Sequence, residues 1–367
     1  MIKLYFWISL LFLFAGILEP GFLAEGYVRA DDTIWFAEKG EINSNKEEKI
    51  VFGSIRSSSP DEVFLVGKDQ KSLLIPTVFI TAIQYDSEPT ELTTARLLIQ
   101  TSLYREALEK LTELDADTLA KSSANIQQEA VYLRLLAKGN SLLINSTLSD
   151  RKSESLKTGR EIAAFLDSAP RNVHCYELAD LGGRIFLLAE SPEEARLSFD
   201  RMIKAGAPEV RFAGLLQIGE ILLRAGEIEN AQRCFNEVLC WDKTSSEQVE
   251  EQKLFAKIGN AEALALKKSE KDSIDLFHDL IRTTNSSNVE LWARMYNGLG
   301  TALLHQQRNR EALLAFLHVD LLYSQAKGEH VRALRSLYHL WNRQKRTDRA
   351  NEVLKTLEQK YEISIAQ

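Results

Sequence analysis

"GEILLRAGEIENAQRCFNEVL", running from Gly219 to Leu239, decides how this chain is read. It reads as two short helices with a tight break at Arg224-Ala225-Gly226-Glu227, set in the middle of an apolar pattern. Related stretches begin at Gly182 ("GGRIFLLAESPEEARLSFDRM"), Gly300 ("GTALLHQQRNREALLAFLHVD") and Tyr338 ("YHLWNRQKRTDRANEVLKTLE"). Each sets an alanine four positions ahead of a large apolar residue: Ala195 and Phe199, Ala231 and Phe235, Ala312 and Phe316, Ala350 and Leu354. "LYREALEKLTEL" repeats this with Ala107 and Leu111, and a weaker copy puts Ser273 ahead of Phe277.

The anchors 195, 231, 273, 312 and 350 are 36, 42, 39 and 38 residues apart, the period of stacked helical hairpins with loops of varying length. The residue types have a steric reason. The alanine stands where the two helices of a hairpin cross, and Gly219 and Gly300 play that part on the first helix. The aromatic residue lies one turn on and faces the next hairpin. One hairpin cannot bury both of its faces, so copies must stack.

At these residues the chain resembles the tetratricopeptide repeat (TPR) family, from about Glu91 to Tyr361. Leu299-Gly300, Ala312 and Phe316 carry the resemblance, as do Ile218-Gly219, Gly226, Ala231 and Phe235. The family tryptophan is absent from the first helices, and the repeat-ending proline survives only at Pro170 and Pro208. Polar stretches at Asn145–Ser155 and Trp241–Gln252 lengthen two connections. The expected fold is therefore mostly α: a TPR-like α-solenoid of about six hairpins over residues 89–367.

Upstream the pattern changes in kind. Thr33–Glu38, Lys49–Ile55, Glu62–Gly67, Ser72–Pro76 and Thr77–Asp86 are short runs rich in β-branched and aromatic residues, separated by turn-formers. They predict a small antiparallel β-barrel or sheet over residues 31–88, similar to SH3-like or Sm-like barrels in strand number and length. Phe64, Phe79 and Tyr85 are expected in its core. Pro89-Thr90-Glu91 reads as the first helix start.

Residues 1–30 read as a signal peptide. Lys3 precedes an apolar run from Leu4 to Leu18, shorter than the ~20 residues a membrane span needs. Cleavage is expected after Ala30, placing the protein in the periplasm or cell envelope, or outside the cell; the alternative is an uncleaved N-terminal membrane anchor. Any membrane contact is expected only through that segment.

Over 367 residues the net charge is −7, which argues against a general nucleic-acid binder. The three cysteines, Cys175, Cys234 and Cys240, form no metal-ligand or redox spacing and read as small buried apolar residues. No histidine pair has ligand spacing, and there is no nucleophile elbow or phosphate loop. No cofactor or metal is expected, and no enzymatic activity. Asn145-Ser146-Thr147 and Asn285-Ser286-Ser287 match the glycosylation acceptor pattern.

The resemblance implies a protein-interaction scaffold whose first helices line a groove for a partner peptide or helix. Spacings of three and four put Arg332, Arg335, His339, Asn342 and Arg343 on one helical face, with Arg294 and Asn297 equivalent in the preceding repeat. These are the candidate partner-binding residues. Arginine forks suit an acidic segment or a C-terminal carboxylate, while the bland reading is a solvated face on a terminal repeat. Specificity is expected at irregular first-helix positions such as Glu220 and Leu223. The alternative function is an envelope binding protein whose β module recognises a glycan or peptide, with the solenoid as spacer.

Overall fold

The computed structural model describes residues 31–37, 49–144, 150–243, 246–267, 269–361 and 363. The expected signal peptide and cleavage site, and the acceptor pattern at Asn145, lie outside them.

Strands β1 (Asp32–Phe36), β2 (Lys49–Ser58), β3 (Glu62–Gly67), β4 (Ser72–Pro76) and β5 (Ile80–Gln84) form one antiparallel sheet in the order β4-β3-β2-β1-β5. The run expected as one strand from Thr77 is divided: Thr77–Phe79 is a 3-10 turn before β5. Ile34, Val63, Leu65, Ile75 and Ile83 point inward and join the apolar core of the adjoining helices. Of the expected aromatic core, Tyr85 is buried, but Phe64 and Phe79 are only half-buried. Phe64 is paired across the sheet with exposed Leu74, so it lies on the outer face.

Fifteen helices follow among the described residues. They are α1 (Thr90–Gln100), α2 (Tyr104–Thr112), the short α3 (Ala116–Lys121), α4 (Ala124–Ile144), α5 (Arg151–Ser168), α6 (Cys175–Leu188), α7 (Pro192–Ile203) and α8 (Pro208–Arg224). The remainder are α9 (Ile228–Leu239), α10 (Glu247–Leu266), α11 (Glu270–Thr283), α12 (Val289–His305), α13 (Asn309–Leu322), α14 (Lys327–Arg343) and α15 (Thr347–Tyr361). Apart from α3 they pack as seven successive hairpins in a TPR-like α-solenoid. Two stretches read as loops are partly helical: α5 begins at Arg151, and α10 at Glu247, where the Ser246 hydroxyl caps the helix by accepting from the Val249 N–H at 3.3 Å.

One turn is used repeatedly. In α8/α9 the Glu227 N–H donates to the Leu222 carbonyl and the Gly226 N–H to Leu223, with Gly226 at φ 80°. Ser102, Glu190, Gln307 and Lys345 take the same place in their hairpins, at φ 63°, 58°, 60° and 58°. The break in "RAGE" is thus a general device of this chain, with glycine in only one of these five turns.

The hairpin interior follows the small-and-large pattern. Ala195, Ala231, Ala312 and Ala350 are buried, as are Phe199, Phe235 and Phe316. Phe235 is held from two sides. A methyl at Gly219, in its own hairpin, would lie 2.5 Å from the ring, and so would one at Gly259 in the next. Gly300 approaches Phe316 in the same way. In the weaker copy, buried Ser273 replaces alanine and satisfies its hydroxyl on the Ala261 carbonyl at 2.8 Å. The cysteines are not uniformly buried: Cys175 is, Cys234 is half-buried, and Cys240, which caps the end of α9, is exposed.

Candidate interaction groove

The first helices α8, α10, α12 and α14, from four successive hairpins, line an open recess of about 670 Å³. Its apolar part comes from Leu223, Ala265 and Leu266, with Leu266 45% exposed. Close packing elsewhere leaves this strip uncovered because each first helix spends one face on its own hairpin and presents the other to the groove.

The charged part is an alternating acid–base network. Arg294 on α12 is buried. It pairs with Glu220 on α8 and with Glu262 on α10, the latter at 3.0 Å. Arg332 on α14 reaches the same Glu262 at 3.2 Å and Glu329 at 3.7 Å. Burial pushes the Glu262 carboxyl up, but the Arg294 and Arg332 guanidiniums outweigh it and hold it below the usual carboxylate range. Burial likewise works against the Arg294 charge, and Glu220 and Glu262 reverse the balance, so its pKa is raised. Arg224 adds a longer pairing to Glu220 at 3.9 Å. Three carboxylates, Glu220, Glu262 and Glu329, therefore face three arginines around the recess.

The proposed basic face divides. Arg294 and Arg332 line the recess with their charges already answered by acids that the sequence pattern did not connect to them. Asn297 is fully buried beside it and donates through Nδ2 to the Glu329 carbonyl at 2.8 Å and carboxylate at 2.6 Å. Its Oδ1, like Nε of Arg294, is buried without a hydrogen-bond partner. Arg335, His339, Asn342 and Arg343 are exposed and lie outside the recess lining. Glu220 and Leu223 both line it. Among the described residues no cluster of three or more His, Cys, Asp or Glu is arranged to hold a metal ion.

A second polar network, invisible to the sequence reading, ties the sheet to the solenoid. Arg96 on α1 binds Glu88 at 2.7 Å and Glu129 on α4 at 3.0 Å. The other Glu129 oxygen meets Nε2 of His174, at the start of α6, at 3.1 Å. The His174 ring stacks on Tyr132 at 3.6 Å, and the Tyr132 hydroxyl donates to Glu177 at 2.7 Å. Burial disfavours the imidazolium, but Glu129 and then Glu177 override it and raise the pKa to about 9. Asp61, in the β2–β3 turn, completes the junction by accepting the Gly206 N–H at 2.9 Å.

No family model matches the chain, and no curated protein does. Among solved structures, a Rap protein complexed with competence and sporulation factor is 10% identical, with 72% of this chain and 74% of that one covered and a TM-score of 0.48. The apo form of RapI is similar at 10% identity, covering 73% and 75%, with a TM-score of 0.44. The C-terminal part of a TPR repeat-containing protein from Cytophaga hutchinsonii is similar at 12% identity, covering 73% and 94%, with a TM-score of 0.42. Likenesses this distant assign no activity and no partner.

Proposed function

We propose that this chain is a non-enzymatic protein-interaction scaffold that receives a partner peptide or helix in the recess of α8, α10, α12 and α14. One observation carries the reading: first helices of four successive hairpins leave an apolar strip open beside charges that are already held in place. Side chains fixed by their own ion pairs lose little freedom on binding, which favours recognition.

The network also refines the expected partner. An acidic segment or C-terminal carboxylate has to share Arg294 and Arg332 with Glu220, Glu262 and Glu329. A segment with an apolar residue for Leu223 and Leu266, flanked by one charge of each sign, uses every group present. We place this activity in the periplasm or cell envelope, on the apolar run Leu4–Leu18 and the small-residue site before Asp31. N-terminal sequencing of the exported chain tests that, with Asp31 expected as the first residue.

The binding test uses the full chain with a photo-crosslinking amino acid at Leu223. Crosslinked partners are expected to disappear when Leu266→Asp is added and to persist with Arg335→Glu, which lies off the recess. An unchanged crosslinking pattern in Leu266→Asp rejects the groove as the binding site.

A further inference from the structure

Strand β4 forms one edge of the sheet, with β3 as its neighbour. Their register is regular, from Glu62 opposite Pro76 to Val66 opposite Ser72. Two bonds flanking that run fix which way the main chain of β4 faces. The Gly67 N–H donates to the Lys71 carbonyl and the Thr77 N–H to the Asp61 carbonyl, both at 2.9 Å. Lys71 and Thr77 therefore turn these groups toward β3. In an antiparallel pair such residues alternate with residues that face away. With no bulge between, Leu73 and Ile75 also face β3, whereas Ser72, Leu74 and Pro76 present their main chain to the outside. All three are exposed, and among the described residues nothing bonds their outward groups. Leu73 and Leu74 are 38% and 54% exposed. The strand, "SLLIP", carries no charge to guard this edge, and its proline stands at the end.

The open groups are self-complementary. Two copies of β4 placed antiparallel about a two-fold axis at Leu73 set Ser72 of each opposite Leu74 of the other. Both residues aim outward, so each such pair exchanges two main-chain bonds. Leu73 then meets Leu73 of the other copy in the closer, non-hydrogen-bonded type of pair, where side chains pack best. Pro76, which has no N–H, falls beyond the paired residues. The lysines of the β3–β4 turn, Lys68 and Lys71, come to the end of the other copy where Glu62 is exposed. Parallel pairing would set like charges together instead.

We propose that β4 is a self-association edge, through which two copies of this chain pair antiparallel and join their sheets into one. The contact is isologous, so each β4 is used up by its counterpart and association through this edge stops at two.

Sedimentation equilibrium of the full chain tests this. The mass is expected to rise from one copy to two, with half-association on the order of 100 μM, because one five-residue strand falls short of the roughly 1,000 Å² of a stable interface. Leu74→Pro removes an outward N–H that β3 does not use and should weaken association at least about tenfold. Leu314→Asp, at an exposed position on α13, should leave it unchanged. Crosslinking reads the register. In a Cys240→Ser background, Leu73→Cys sets two thiols across the axis with Cα atoms about 4.5 Å apart, within disulfide reach. Leu74→Cys leaves them too far apart, so its disulfide dimer should form at least about tenfold more slowly. A chain that stays monomeric well above the expected midpoint overturns the proposal. So does a dimer that Leu74→Pro leaves intact, or one that Leu74→Cys crosslinks as fast as Leu73→Cys. Should Leu74→Pro unfold the chain, the wild-type mass and the crosslinking rates decide.

Discussion

Arg294 reaches past its neighbouring hairpin to pair with Glu220, from α12 to α8, and on the way binds Glu262 of the hairpin between them. One side chain therefore ties three successive hairpins together across the groove. Helical repeats otherwise interact only with nearest neighbours. Removing one partner of a buried pair leaves the other charge uncompensated, at about 3–5 kcal/mol. Arg294→Ala is expected to destabilise by about that amount, because Glu262 then keeps only Arg332. Adding Glu262→Gln should recover part of the loss. A double-mutant cycle in urea checks this; additive effects of the two substitutions contradict the coupling.

The ring of Phe235 requires a missing side chain on two helices at once. A Cβ at Gly259 meets Cζ of Phe235 at 2.5 Å, and one at Gly219 meets Cε1 at the same distance. Overpacking of this kind costs about 1–3 kcal/mol. Gly259→Val is expected to lower the thermal midpoint, and Phe235→Leu on that background to restore part of it. A second substitution that lowers the midpoint further removes the steric explanation.

The hairpin turns predict opposite signs for two simple changes. Gln307, Glu190 and Lys345 hold left-handed backbone that glycine adopts without strain, and Gly226 already does so at φ 80°. Gln307→Gly is expected to stabilise by up to about 1 kcal/mol, and Gly226→Ala to destabilise by a similar amount. Chemical denaturation of both variants measures it. Stabilisation by Gly226→Ala rules out turn strain as the controlling factor.

These cases show what was legible in the sequence. Close approach of helices allows only small residues, so Gly219, Ala231 and Phe235 carried a readable pattern at a fixed period. Ser273 blurred it because a hydroxyl with a carbonyl partner also fits. The groove was legible only as a face. Arg294 and Arg332 could be placed on it from helical spacing, but Glu220 and Glu262 meet them through superhelical stacking, across 74 and 32 residues of sequence for Arg294. No local period records such a distance. The docking of the sheet was hidden for the same reason: Glu129 and His174 lie 45 residues apart and meet only once α4 and α6 are packed.

That pairing gives the last prediction. His174 has a folded pKa raised from 6.5 to about 9 by Glu129 and Glu177 against the opposing effect of burial. A raised pKa means the folded state holds the proton more tightly than the unfolded chain. The resulting stability is fully present below about pH 6.5 and is lost as pH rises through 9. Its size follows from the shift and reaches at most about 3 kcal/mol. Glu129 stays ionised across this window, because its own carboxyl is held below the usual range despite burial, by His174 and Arg96. Urea unfolding of wild type and His174→Gln at pH 6, 7.5 and 9.5 should show a stability difference that narrows as pH rises. Because the pair sits where the sheet docks, the protection of β5 amides relative to their intrinsic exchange rates should fall over the same interval in wild type and much less in the variant. A difference that stays constant from pH 6 to 9.5 would mean that His174 acts through packing on Tyr132 and not through its charge.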